Sequence, residues 1–262
     1  MRKKLVAAIL GALILGAFVS LSFFSSPVSA TMRLRIEDLV NGVGAIITDN
    51  GPGDSNPLVG ALEFSSGGSG LGSFLVNVTT GVSKPMIGGV SDLGQIDLNS
   101  VNVLTSGAGT LRLTLEDTGY LAGPDSTLHV FGTVGGTLTA PAGSTIMVQS
   151  WANGNNLVPD LGPDQGVGAI GGTPAGSVAA WTPEADFGSG AFSGSGVGEF
   201  NNGAGDTFSL FAQVTVSFTG PGAVSFDENQ RVVPEPASLL LLGAGVAALG
   251  LRAARKRKRC SN

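Results

Sequence analysis

From Phe208 to Phe218 the chain alternates for eleven residues. Phe208, Leu210, Ala212, Val214, Val216 and Phe218 occupy one side. Ser209, Gln213, Thr215 and Ser217 occupy the other, with Phe211 the exception. Successive side chains of an extended chain point to opposite faces, so this period of two specifies a strand with one buried face. Shorter runs of the same kind include Met32–Glu37, the segments around Ile46–Ile47 and Leu62–Phe64, and Phe74–Val78. Others are Gln95–Val103, Thr110–Leu115, Leu128–Val134 and Thr145–Trp151. Turn-forming clusters rich in Gly, Pro, Asn and Asp separate them, and no long helical period appears between Thr31 and Arg231. About nine or ten such strands in one domain predict an all-β fold, an antiparallel β-sandwich. An outer-membrane barrel is the other arrangement. It needs strands of about 9–11 residues and aromatic girdles, and most of these runs are shorter. Asp160–Gly205, with its Gly-Ser repeats, reads as a long decorated loop, a pair of irregular strands or a partly disordered stretch. A last short strand is expected around Val224–Phe226.

The two ends of the chain have a different character. Residues 1–30 read as a secretory signal peptide: Arg2, Lys3 and Lys4, an apolar stretch from Leu5 to Val19, then Val28-Ser29-Ala30. Small residues at the recognised positions predict cleavage by signal peptidase between Ala30 and Thr31. An uncleaved N-terminal anchor is the alternative. Removing both ends changes the charge that matters. Between Thr31 and Arg231 there are five cations and eighteen carboxylates, a net charge of −13 against −5 for the whole chain. Such a surface lacks the clustered cations that phosphate binding needs, so nucleic acid is not an expected partner. The single cysteine, Cys260, lies in the basic tail, so the domain 31–231 is expected to hold its core without disulfides.

Residues 232–262 fall into three parts. Val233-Pro234-Glu235-Pro236 keeps the backbone extended. Residues 237–251 are apolar and predict one short transmembrane helix of about 22 Å, less than a bilayer core of about 30 Å. The tail 252–262 carries Arg252, Arg255, Lys256, Arg257, Lys258 and Arg259, which hold that end in the cytoplasm. The order resembles the PEP-CTERM sorting signal of Gram-negative bacteria: Pro234-Glu235-Pro236, a Leu-rich helix with Gly243, Gly245 and Gly250, and a basic terminus. The resemblance covers only this segment. It implies export, transient anchoring in the inner membrane with the domain in the periplasm, and processing near Pro234–Pro236 by an exosortase-type membrane protease. Release to the cell surface, or attachment there, would follow. A permanent tail anchor is the alternative.

Chemical motifs in the exported part are sparse. His129 is the sole histidine, and no Gly-x-Ser-x-Gly elbow accompanies it, so no catalytic residue is assigned and no enzyme is expected. Gly166-Val-Gly168-Ala-Ile-Gly171 matches a dinucleotide-binding spacing but follows no strand and opens no helix. Asp49, Asp54 and Asn56 form the densest oxygen cluster and are the one weak candidate for calcium, although such loops commonly satisfy their own backbone. Glu116-Asp117 and Asp227-Glu228 read as solvent-facing carboxylates at strand ends. Trp151 and Trp181 could form a sugar-stacking platform or pack in the core. Two functions follow as expectations. One is a cell-surface or matrix protein with a structural or interaction role in exopolysaccharide or biofilm. The other is a secreted module that binds polysaccharide or, less in keeping with the motifs, cleaves it.

Overall fold

The computed structural model describes residues 32–84, 87, 94–122, 127–159, 177–179, 185–203 and 206–234. The signal peptide with Ala30 and Thr31, Trp181, Gly166–Gly171, Glu235, Pro236, the helix 237–251 and the tail 252–262 lie outside the described residues. Among the described residues no helix is long and apolar enough to cross a membrane.

Among the described residues, thirteen strands form two sheets, and every pairing is antiparallel. The first sheet runs, in spatial order, β10 (Ala185–Gly188), β8 (Thr145–Asn153), β12 (Thr207–Phe218), β6 (Gly109–Leu121), β1 (Arg33–Asp38) and β2 (Val43–Thr48). Strand β9 (Ser177–Ala179) also pairs with β8. The second runs β11 (Gly190–Asn201), β7 (Thr127–Thr139), β13 (Gly222–Pro234), β5 (Gln95–Thr105), β4 (Phe74–Val82) and β3 (Ala61–Ser65). This is the expected sandwich of two open sheets, not a single closed barrel.

The alternation in β12 does what its spacing predicts. Phe208, Leu210, Ala212, Val214, Val216 and Phe218 are all buried in the space between the sheets. Their register carries the pattern sideways: Val214 lies opposite Leu113 of β6 and Val148 of β8, and Ile36 of β1 lies opposite Leu113. The second sheet contributes Val76, Val78, Ile96, Leu98, Val101, Val103, Leu128, Val130, Val224 and Phe226. Phe74 and Phe218 meet at 6.0 Å between ring centroids, and Tyr120 stacks on Phe208 at 5.4 Å, so large rings fill both ends of the core. Phe211, the exception in the sequence pattern, is buried on the opposite face, where it stacks on Trp151 at 5.1 Å.

Two parts of the chain differ from the sequence reading. The Gly-Ser stretch within 160–205 contains the twelve-residue strand β11, paired with β7 throughout. Its inward side is Phe192, Gly194, Gly196, Gly198 and Phe200, too poor in apolar residues to register as a strand. The glycine at 198 is required, because a Cβ there would meet the Ala179 carbonyl oxygen at 2.1 Å. The expected short strand at Val224–Phe226 is instead the thirteen-residue β13, which lies between β7 and β5 and reaches Pro234.

Candidate functional site

Strand β13 joins the domain to the C-terminal motif. Val232 is buried in the core, lies opposite Val130 of β7 and donates its N–H to the Gly94 carbonyl at 2.8 Å. Val233 and Pro234 continue opposite His129 and Leu128 of β7, and among the described residues the register with β5 extends to Arg231 opposite Gln95. Proline has no N–H to give to a ladder, so Pro234 is a natural last residue for the strand. The boundary expected between 231 and 232 therefore falls inside a strand.

Beside this exit lies a cleft of about 590 Å³ lined by Asn155, Glu199, Phe200, Asn201, Asn202 and Asp206 among others. Asn201 stands opposite Thr127, next along the ladder from Leu128, and accepts a hydrogen bond from Thr127 Oγ1 at 3.2 Å. Amide and carboxylate groups dominate this rim, with the Phe200 ring behind it packed edge-on against Phe208. A second cleft of about 400 Å³ is lined by Ser69, Ser73, Thr105 and Ser106 around Leu75 and Leu104, an exposed cross-strand pair.

The acidic residues singled out from the sequence take different roles. Asp54 accepts hydrogen bonds from the backbone N–H groups of Asn50, Asn56 and Glu63, each at 2.9 Å. Asn56 Oδ1 accepts from Leu58 N–H, and Asp49 Oδ2 accepts from Gly60 N–H at 2.9 Å. The loop thus uses its carboxylates to order its own backbone. Burial, then the nearby Asp54 and Asp117 charges, raise the Asp49 pKa above 3.8 against the opposing Gly60 hydrogen bond. Among the described residues no group of three His, Cys, Asp or Glu side chains is placed to hold a metal. His129 is partly exposed on β7, its ring 6.4 Å from Phe131.

The reading of Glu116, Asp117 and Glu228 as solvent-facing is corrected: all three are buried. Glu116 accepts from Arg33 Nε at 2.7 Å on the outer face of the first sheet. Glu37 there is held by Arg35 and Arg112, each at 2.8 Å. Asp117 belongs to a cluster that the sequence did not reveal, because Ser83 and Lys84 lie 33 or more residues from Asp117 and Tyr120. Lys84 Nζ lies 2.8 Å from Asp117 Oδ2 and 4.2 Å from the Tyr120 ring centre. Ser83 Oγ donates to Asp117 Oδ2 and sits 2.5 Å from Tyr120 OH, which also donates to the Gln95 carbonyl at 2.9 Å. Serine, lysine and tyrosine in contact are a combination that nucleophilic catalysis uses, yet Ser83 is 0% exposed and Lys84 1%. A nucleophile needs a path for substrate. The closed geometry here is that of an internal tie between the sheets.

Glu228 and Gln230 project inward from β13. Gln230 Nε2 donates to the Trp151 carbonyl at 2.7 Å, spanning the two sheets. Both carboxyl oxygens of Glu228, with Gln230 Oε1 and Ser150 Oγ, are buried without a hydrogen-bond partner among the described residues. Burial, and secondarily the Asp97 charge, push the Glu228 pKa well above 4.5.

Residues 232–258 match the PEP-CTERM protein-sorting motif. The chain carries a PEP-CTERM sorting signal. That signal marks the protein as exported and sorted by way of a membrane. No curated protein matches the chain. In fold, this chain is similar to TmCBM61 in complex with β-1,4-galactotriose, with 13% identity over 76% of this chain and 99% of that one, at a TM-score of 0.29. It is also similar to the adhesin domain of Epf from Streptococcus pyogenes, with 13% identity over 67% and 59% of the two chains, at a TM-score of 0.30. A third similar structure is one of the carbohydrate-binding modules from the β-sandwich superfamily, with 13% identity over 70% and 64%, at a TM-score of 0.23.

Proposed function

We propose that this chain is an envelope protein without enzymatic activity. Its sandwich is delivered outside the inner membrane by exosortase-type processing and there makes structural contacts with exopolysaccharide. The observation that carries this reading is the continuity of β13 with the sorting motif, which begins at Val232 inside the sheet. The cargo of the signal is thus the folded sandwich itself. The acidic domain suits a hydrated matrix, since its net charge disfavours self-association by collapse and direct contact with anionic lipid. Measuring the intact mass and the cell fraction of the protein from its native cell tests the delivery. A product beginning near Thr31 and lacking Arg252–Asn262, found outside the inner membrane, is expected. A mass that retains the basic tail in the inner membrane would make it a tail-anchored periplasmic protein.

A second reading, a polysaccharide-binding module, is favoured by the cleft at Asn155, Asn201 and Asn202. Side-chain amides offer a donor and an acceptor together, which suits vicinal hydroxyl groups. Retarded migration of the purified domain in gels containing extracted matrix polysaccharide, lost in Asn202→Ala with unchanged melting, would support it. Equal migration of both proteins with and without polysaccharide would dismiss it.

A further inference from the structure

We propose that Lys84 and Asp117 condense after folding into an amide, a covalent cross-link between the two sheets formed with release of one water. The ion pair is the state of the newly folded chain, before closure. Its two groups are reactants already in contact: Lys84 Nζ lies 2.8 Å from Asp117 Oδ2, and both side chains are buried. Lys84 follows β4 of the second sheet, and Asp117 belongs to β6 of the first. Strand β5 lies between them in the chain, so the bond closes a loop around that strand. The two carboxyl oxygens are held differently. Oδ1 accepts the Thr118 N–H at 2.7 Å. Oδ2 accepts from Ser83 Oγ as well as from the ammonium. Lys84 Nζ also donates to the Thr118 carbonyl and lies 4.2 Å from the Tyr120 ring centre.

A solvated ammonium and carboxylate do not condense, because the nitrogen has no lone pair and the carboxylate resists attack. A dry pocket changes this. Burial disfavours both charges, so transfer of one proton from Nζ to Oδ2 leaves a neutral amine against a neutral acid. Fixed neighbours also replace a bimolecular encounter by an intramolecular step, equivalent to reactant concentrations of about 10⁵–10⁸ M where alignment is good. The Nζ lone pair adds to the Asp117 carboxyl carbon, and negative charge develops on Oδ1, where the Thr118 N–H receives it. As this intermediate collapses, the Cγ–Oδ2 bond breaks and a second proton passes from nitrogen to Oδ2 by way of the Ser83 hydroxyl. Oδ2 departs as water, Oδ1 remains as the amide oxygen, and nothing is oxidised or reduced. Tyr120 OH, 2.5 Å from Ser83 Oγ and donating to the Gln95 carbonyl, holds the serine in position. The closed geometry that shuts out an external substrate suits this step. Both reactants belong to the chain, and the water that would return the amide to the acid is excluded. The sole cysteine is Cys260, so no disulfide can staple the sandwich.

Peptide mapping of the protein from its native cell, denatured and then digested, tests the bond without any variant. The peptides carrying Lys84 and Asp117 should be recovered joined, lighter than their sum by one water, about 18 Da. Recovery of the two peptides unjoined, each at its own mass, would overturn the inference. So would loss of one water confined to the Asp117 peptide, which marks an internal succinimide. An amine-acylating reagent applied in urea should leave Lys84 unmodified, and its full acylation would count against the bond equally. Ser83→Ala keeps both reactants and should lower the linked fraction in newly made protein at least about 10-fold. A linked fraction equal to the parent's would overturn the passage of the second proton through Ser83.

Discussion

Lys84 Nζ lies 2.8 Å from Asp117 Oδ2, tying the chain just after β4 in one sheet to β6 in the other. Both side chains are buried, and Lys84 also donates to the Thr118 carbonyl. A buried pair of this kind contributes little against an apolar replacement of both partners, but removing one partner strands the other's charge. Lys84→Met is expected to cost about 3 kcal/mol in urea unfolding. Lys84→Met combined with Asp117→Leu should recover a substantial part of it. A double variant as unstable as the sum of its single changes would contradict this account.

Glu228 predicts the opposite sign. Its folded-state pKa lies above 4.5 because the carboxyl is buried. Above that pH the native state keeps a proton that the unfolded chain releases, so stability falls as pH rises. Glu228→Gln removes this titration. The variant should gain on the parent by up to about 1.4 kcal/mol per pH unit above pH 4.5, until the folded-state pKa is passed. Urea midpoints at pH 5, 7 and 9 test it, and a constant difference between the two proteins would show that the carboxyl is not protonated in the core.

Val214 faces Leu113 and Val148 across its two ladders and is fully buried. Val214→Asp places an unpaired charge among them and should destabilise by about 4 kcal/mol or more. Thermal melting at the parent temperature would mean that β12 does not form the middle of the core.

Asp54→Ala tests the loop that composition alone made a calcium candidate. Three backbone N–H groups lose their acceptor. The expected loss is about 1–2 kcal/mol, identical in calcium and in chelator, because the carboxylate serves the backbone. If calcium raised the melting temperature of the parent and not of the variant, the loop would be a cation site after all.

Asp38 gives a pH effect at the acid end. Burial alone would raise its pKa, but bonds from Ser73 N–H, Asn41 Nδ2, Asn41 N–H and Val40 N–H together hold it below 3.8. The stability it contributes is complete above the ordinary value and is lost as pH falls through the depressed one. Asp38→Asn should therefore lose stability at pH 6 and approach the parent in strong acid, as circular dichroism melts will read.

The strands with alternating apolar side chains were legible in the sequence, because period-two patterning is a local property of an extended chain beside a core. The Pro-Glu-Pro order, the apolar run and the basic tail were legible for the same reason: recognition there reads contiguous residues. Strand β11 was hidden, since glycine on its inner face carries no hydrophobic signal and is demanded only by the Ala179 carbonyl that packs there. Nor did local pattern place Lys84 beside Asp117, Gln230 against the Trp151 carbonyl, or Asn155 in one cleft with Asn202. Those meetings depend on strand order, and strand order depends on which pairings bury the most apolar surface at once. The sequence by itself determined an exported all-β chain with a C-terminal sorting signal. Only the tertiary structure decided that this signal begins inside the central strand of a sheet, because ladder pairing, not composition, determines where a folded domain ends.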